Sequence, residues 1–142
     1  MKTLVAALAA LMTTAALSAC SPSGSTSAGG GPAEQEKFAG IDQQILQWRK
    51  DILATDPLCR SQAEGEKCTG FEVACKAERE VAPAEQSGGV TAHVVAAMTW
   101  NGFDEKFKHA QSGMRAVEFT KGRSGWTRTD HKPVNPQTCA DL

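Results

Sequence analysis

Three histidines, His93, His109 and His131, are the candidate bases of this 142-residue chain. An acyl-transfer centre needs a nucleophile beside such a base and a third group that orients the base. No serine lies in a G-x-S-x-G pattern, and the partly similar segment 122–125 is typical of a turn. We therefore predict that the chain has no catalytic residue and is not an enzyme.

Metal binding by the same histidines would require them to converge with Asp130 across adjacent strands. The cysteines form no C-x-x-C pair, and no Cys/His spacing is typical of a zinc site. Residues 29–31 are three glycines, but they lack the preceding strand and following lysine of a phosphate-binding loop. We therefore predict no metal and no cofactor.

Two pairs of carboxylates, Asp104-Glu105 and Glu64/Glu66, are candidates for acid–base chemistry. A glycosidase needs two carboxylates that face each other across a cleft. Both pairs here lie next to lysine and near expected turns, which favours a solvated surface role.

The first twenty residues have the parts of a secretory signal. Lys2 supplies positive charge, residues 3–17 form an uncharged and mostly apolar run, and Leu17-Ser18-Ala19-Cys20 ends it with small residues. The run is shorter than the roughly 20 apolar residues that a membrane-spanning helix needs. These last four residues resemble the lipobox of bacterial lipoproteins.

The resemblance implies that Cys20 receives a diacylglyceryl group, that the signal peptide of residues 1–19 is removed, and that the new amino terminus is acylated, with palmitate as the expected chain. Stable anchoring takes at least two acyl chains. Ser21 stands where Asp would favour the inner membrane, so we expect the outer membrane, facing the periplasm. The alternative is an ordinary cleaved signal with an incidental cysteine.

Beyond the signal, residues 20–32 are rich in Ser and Gly, and we expect a flexible tether there. Residues 33–142 are expected to form a single globular domain. Removal of Lys2 leaves 14 of the 15 Lys and Arg against 16 Asp and Glu, well interspersed. Nucleic acids are bound by clustered positive charge, so we predict no nucleic-acid partner.

Five cysteines occur, and lipid on Cys20 leaves four: Cys59, Cys68, Cys75 and Cys139. An even number in an oxidising compartment predicts two disulfides. Four cysteines allow three pairings, which the sequence does not distinguish. We favour Cys59–Cys68, which closes a local loop, and Cys75–Cys139, which ties the C-terminal tail to the domain.

One amphipathic helix is predicted over residues 33–54, because apolar residues recur there at steps of three and four. Residues 69–81 suit either a strand or a helix, and we favour a strand. Residues 83–89 predict a loop. Asn101-Gly102 predicts a two-residue hairpin turn, and 111–113 and 122–125 predict further turns. The remaining strands are predicted over 90–100, 103–110, 114–121 and 126–129, with an irregular tail over 131–142.

The predicted fold class is therefore α+β, with one N-terminal amphipathic helix packed on a four- or five-stranded antiparallel meander and stapled by disulfides. This order of elements is similar in architecture to cystatin-like and NTF2-like folds. No motif of either family is present, so the similarity implies no function.

Aromatic residues and one arginine gather near the predicted hairpins: Trp100, Phe103, Phe107, Trp126 and Arg128. Trp and Arg are enriched at interface hot spots, which makes a binding patch one interpretation. The other interpretation is that the tryptophans cap the core between helix and sheet.

We predict a membrane-anchored envelope lipoprotein whose small non-catalytic domain has a binding or accessory role. Its expected partners are the membrane, through the lipid, and an envelope protein or the cell wall. One alternative is a periplasmic inhibitor of a secreted hydrolase, a lysozyme or a protease, acting through the loop between Cys59 and Cys68. Another is a small-molecule or metal binder.

Overall fold

The computed structural model describes residues 32–61 and 67–142, which fold as an α+β structure. In chain order, the elements are α1 (Pro32–Lys37), α2 (Ile41–Thr55), a 3-10 turn (Pro57–Cys59), β1 (Thr69–Arg79), α3 (Pro83–Ser87), β2 (Ala92–Asp104), β3 (His109–Gly122) and β4 (Gly125–His131).

The principal helix is α2, which buries Ile41, Trp48 and Ile52 against the sheet. These residues belong to the apolar stripe that predicts the helix, because side chains at such spacings share one helical face. The range predicted as one helix is divided into α1 and α2 at Gly40, whose φ of 87° lies in the left-handed region. At its other end, α2 stops before Asp56 and Pro57, as expected from the proline.

Four strands in the described part of the chain form one antiparallel sheet in the order β1-β2-β3-β4. Residues 69–81 are ambiguous in sequence, and the structure confirms the strand, with β1 spanning Thr69–Arg79. The turn predicted over 122–125 is confirmed between β3 and β4, where Gly122 pairs with Gly125. The sheet is therefore a meander, in which each strand pairs with its neighbour along the chain.

The predicted hairpin turn at Asn101-Gly102 is wrong, because both residues lie inside β2 and pair with Ser112 and Gln111. A Cβ on Gly102 would lie 2.6 Å from the Leu58 Cβ. Glycine therefore serves a close approach between the sheet and the 3-10 turn here, and the chain does not reverse.

The turn predicted at 111–113 is also wrong, since that segment lies within β3. The returning strand predicted over 103–110 is replaced by the end of β2, a turn and the start of β3. The loop predicted at 83–89 contains the short helix α3, in which Glu85 Oε2 accepts a hydrogen bond from the Ala82 backbone N–H at 3.1 Å.

The sheet is buried on both faces near its centre. On the helix side, α2 covers a cluster that includes Val94, Val117 and Phe119. On the other side, the C-terminal tail brings Val134 over a second cluster. That face of β2 mixes polar and apolar residues, and the tail explains why the apolar residue Val95 on it is buried.

Two disulfides link these elements, and both predicted pairings are confirmed. Cys59–Cys68 joins the 3-10 turn to the start of β1, and Cys75–Cys139 joins β1 to the tail. Cys20 and the rest of the predicted signal and lipobox lie outside the described residues. Among the helices that are described, none is long and apolar enough to cross a membrane.

Candidate functional site

The hairpin formed by β2 and β3 extends beyond the strands on either side of it. β1 pairs with β2 only as far as Thr69, which lies opposite Asn101. β4 pairs with β3 only as far as His131, which lies opposite Ala116. Residues 102–111 therefore form a two-stranded extension, which we call the hairpin extension, while 112–115 of β3 still have β1 as a third strand beyond β2.

The turn at the end of the hairpin extension is held by Asp104. Its carboxylate accepts hydrogen bonds from the backbone N–H groups of Lys106 and Phe107 at 2.9 and 3.0 Å, and its carbonyl accepts from the Lys108 N–H at 2.7 Å. Asp is favoured in turns because its side chain bonds to nearby backbone in this way. Lys108 completes the reversal with a φ of 57°.

Phe107 is the exposed aromatic residue at this turn, with 63% of its surface accessible. Its ring stacks on the His109 imidazole, with the centroids 6.1 Å apart, and the Lys106 Nζ lies 5.1 Å from the ring centroid. A cation and a second ring therefore hold the phenyl group in place while one side of it faces solvent.

The outer edge of β3 is unpaired along residues 109–115, as far as the described chain shows. All seven of these positions are exposed except Gly113. The Trp100 indole lies over Gly113, where a Cβ would come within 2.6 Å of Cζ2. The Ala110 carbonyl lies 3.2 Å from the His109 Nδ1, and the other hydrogen-bonding groups on this edge of the backbone are available to another strand.

A shallow groove of about 270 Å³ lies where β4 leaves β3. Pro133 follows the end of β4 and has no backbone N–H with which to continue the ladder. The groove is lined by Met114, Arg115, Ala116, Asp130, His131 and Pro133. Met114 is 39% exposed, so the groove contains an apolar side chain that the fold leaves accessible.

The residues predicted as a binding patch do not come together on one surface. Trp100 is 2% exposed and stacks on Phe71 in the core, with the ring centroids 5.9 Å apart. Trp126 packs against the same core and donates from Nε1 to the Ala39 carbonyl at 2.9 Å. The structure therefore supports core packing for both tryptophans.

Trp100 and Trp126 also lie far apart along the strand direction of the sheet. Trp100 lies opposite Gly113, and Trp126 lies opposite Lys121. Eight residues of strand separate those two β3 positions, roughly 27 Å. Phe103 is half-buried in the hairpin extension, near its turn.

Arg128 is engaged in an ion pair with the helix. Its guanidinium donates to Asp51 Oδ2 at 2.7 Å, and the Gln47 amide donates to Oδ1 at 2.9 Å. These two hydrogen bonds hold the pKa of the Asp51 carboxyl below its ordinary value of 3.8, and partial burial opposes them. Arg128 therefore fastens β4 to α2.

The three histidines do not converge. His93 is buried between two carboxylates, with Nδ1 3.0 Å from Glu118 Oε1 and Nε2 3.5 Å from Glu85 Oε1. His109 stacks at the turn of the hairpin extension, and His131 ends β4. Within residues 32–61 and 67–142, no three His, Cys, Asp or Glu side chains are grouped to hold a metal ion.

The structure describes one of the two predicted carboxylate pairs and only the ends of the loop proposed for inhibition. Asp104 shapes the turn, and Glu105 beside it is exposed. Glu64 and Glu66 lie outside the described residues, as does most of the segment closed by Cys59–Cys68. The inhibitor hypothesis therefore stays a prediction.

Sequence reasoning missed the unpaired edge of β3, because it placed a turn there. The Asp104 carboxylate, which is typical of the first position of a turn, is the signal that could have located the reversal correctly. Comparison of the chain with family models, with curated proteins and with solved structures finds no match in any of the three.

Proposed function

We propose that this chain is a lipid-anchored protein of the bacterial envelope with a small non-catalytic binding domain, and that the hairpin extension is the element that contacts its partner. The observation that carries the proposal is Phe107, an aromatic residue held by its neighbours at the end of this extension and 63% exposed. Aromatic residues are enriched among the anchors of protein interfaces.

Beyond Gly102, which packs against Leu58, the hairpin extension adds little to the stability of the domain. A two-stranded ribbon is marginally stable in water, and these strands lack a third neighbour among the described residues. The side chains that the extension adds beyond Trp100 are mostly half-buried or exposed. A role in binding explains why the hairpin is longer than the strands beside it.

The anchor in this proposal is the lipobox cysteine, Cys20. Residues 1–19 act as the signal peptide, 20–32 as the lipidated cysteine and tether, and 33–142 as one domain on the periplasmic side of the outer membrane. The domain has an architecture of the cystatin-like or NTF2-like kind, a similarity that carries no function by itself.

The anchor is tested by fractionating cells that express Cys20→Ser, with Ser21→Ala as the matched control. We expect the cysteine variant to leave the membrane fraction, because it has no thiol to receive lipid, while the control stays there. Retention of Cys20→Ser in the membrane fraction would contradict the anchor.

The binding role is tested by chemical crosslinking in intact cells, followed by affinity purification and mass spectrometry. Phe107→Ser is compared with Leu46→Ser, since Leu46 is 50% exposed on the helix, away from the hairpin extension. We expect a specific partner that is retained with Leu46→Ser and lost with Phe107→Ser. Equal retention or equal loss in the two variants would refute the role of the hairpin extension.

A further inference from the structure

The unpaired edge of β3 differs from the other strand edges in lacking protection. Natural sheets protect exposed edges with charged residues, prolines and bulges. β1 has two register irregularities and carries Lys76 and Glu78, while β4 carries Arg128 and Asp130. Residues 110–114 of β3 are uncharged, and their pairing with β2 is regular.

We propose that this edge pairs antiparallel with the same edge of a second copy of the chain, which joins two four-stranded sheets into one. The inference rests on the proposed function in one respect, since it takes the hairpin extension as the contact element and names its partner. A symmetric contact of this kind is isologous, so that each feature on one copy must meet its complement on the other.

The register that satisfies this symmetry places the two-fold axis at Ser112. Ser112 then faces Ser112 of the second copy, and Ala110 faces Met114. Residues that face each other across an antiparallel pair lie on the same side of the sheet. The pairing therefore places Ala110 of one copy beside the half-exposed Met114 of the other, and this contact occurs twice in the dimer.

Charge is compatible with the same register. His109 faces Arg115 of the second copy, and no two acidic residues face each other along residues 109–115. The Arg115 guanidinium is already paired with the buried Asp56 carboxylate, Nη2 to Oδ2 at 2.9 Å. The Asp56 carboxylate therefore partly balances the charge that Arg115 brings to this edge.

The groove at the end of β4 is the complement of Phe107. With the axis at Ser112, Phe107 lies five positions before the axis, and Ala116 at the groove lies four positions after it. The phenyl ring of each copy is therefore carried to the groove of the other. Lys106 beside the ring then approaches Asp130, the exposed carboxylate in the groove.

These features favour a second copy over an unrelated polypeptide. The same chain carries an unpaired edge, an exposed aromatic side chain and a half-apolar groove. The aromatic side chain and the groove lie at nearly equal distances along the chain on either side of Ser112, which is on the edge. An unrelated partner would have to supply a strand, a groove and an aromatic residue in that same symmetric spacing.

The test is a disulfide across the axis, formed in intact cells and read on a non-reducing gel. Facing residues of an antiparallel pair have Cα atoms about 4.5–5.5 Å apart, within the range that a disulfide spans. Ser112→Cys is therefore expected to give a linked dimer. The matched control is Thr127→Cys, an exposed hydroxyl residue on the same side of the sheet, at the edge of β4.

Charge at position 109 supplies a second readout in the Ser112→Cys background. His109→Glu places a carboxylate opposite Arg115 of the second copy, and His109→Lys places a like charge there. Both variants lose the ring that stacks on Phe107, so they are compared with each other. Since the pair occurs twice in a dimer, we expect about sixteenfold more dimer with Glu than with Lys.

The proposal is overturned if Ser112→Cys gives no more dimer than Thr127→Cys, or if the two substitutions at position 109 give equal yields. A different envelope protein lost with Phe107→Ser, together with no dimer, would leave the proposed function standing and remove the second copy. A dimer that Phe107→Ser leaves unchanged would remove the groove contact and refute the register.

Discussion

Replacing the Cys75–Cys139 disulfide by two alanines is expected to destabilise the domain more than replacing Cys59–Cys68. The first bond spans a sequence separation of 64 residues, and the second spans 9. A cross-link lowers the entropy of the unfolded chain, and the effect grows with the logarithm of the number of residues in the closed loop. The resulting losses are about 4 kcal/mol for the long loop and about 2.5 kcal/mol for the short one.

The structure adds a second contribution to the long-loop bond. Cys139 is fully buried and holds the tail that places Val134 over the sheet. Release of the tail would expose Val134, whose burial is worth about 1.5–3 kcal/mol. A domain of this size has a total free energy of unfolding of about 5–15 kcal/mol, so this variant is expected to lose much of its stability.

The measurement is urea unfolding of the two double-alanine variants and the parent protein, with the free energies compared at equal slope. Limited proteolysis of the tail gives an independent readout, because cleavage should begin there only when Cys75–Cys139 is removed. Equal losses for the two variants, or a larger loss for the Cys59–Cys68 variant, would refute this reasoning about the tail.

Two smaller perturbations test other contacts. Gly113→Ala should destabilise the domain by about 1–3 kcal/mol, because its Cβ would meet the Trp100 ring, whereas Gly122→Ala, with no atom within 4 Å, should be nearly neutral by thermal unfolding. Asp51→Asn should slightly reduce the dependence of the domain's stability on acid pH. The Arg128 partner lowers the pKa of the Asp51 carboxyl, so the stabilisation from this pair is present above about pH 4 and is lost as pH falls through that lowered pKa. Because Asp51 is partly exposed, the loss should stay below about 1 kcal/mol, and a pH-stability profile identical to that of the parent would contradict the pairing.

Local patterns predicted much of the architecture. Ile41, Trp48 and Ile52 recur at helical spacing, so the buried face of α2 follows from the sequence. The sequence did not distinguish three disulfide pairings, and the one favoured, a short loop and a fastened tail, is confirmed. The apolar residues at every second position of β2, including Val94, Ala96 and Met98, likewise located the central strand.

The length of the hairpin could not be predicted, because long-range packing overrides the local turn signal. Asn101-Gly102 is a strong hairpin signal, but Gly102 is required for the approach of Leu58, which lies more than forty residues earlier in the chain. Phe107 was therefore placed on a strand, and the free edge of β3 was missed. The burial of Val95 depends on the tail, which the sequence alone does not direct to that face.

The most direct test of the binding role is a photo-crosslinking amino acid placed at position 107 in living cells, compared with the same group at position 46. Both sites are exposed apolar residues, and only the first lies in the hairpin extension. The proposed function predicts a discrete crosslinked product from position 107 and none from position 46. No product from position 107, or the same products from both positions, would contradict it.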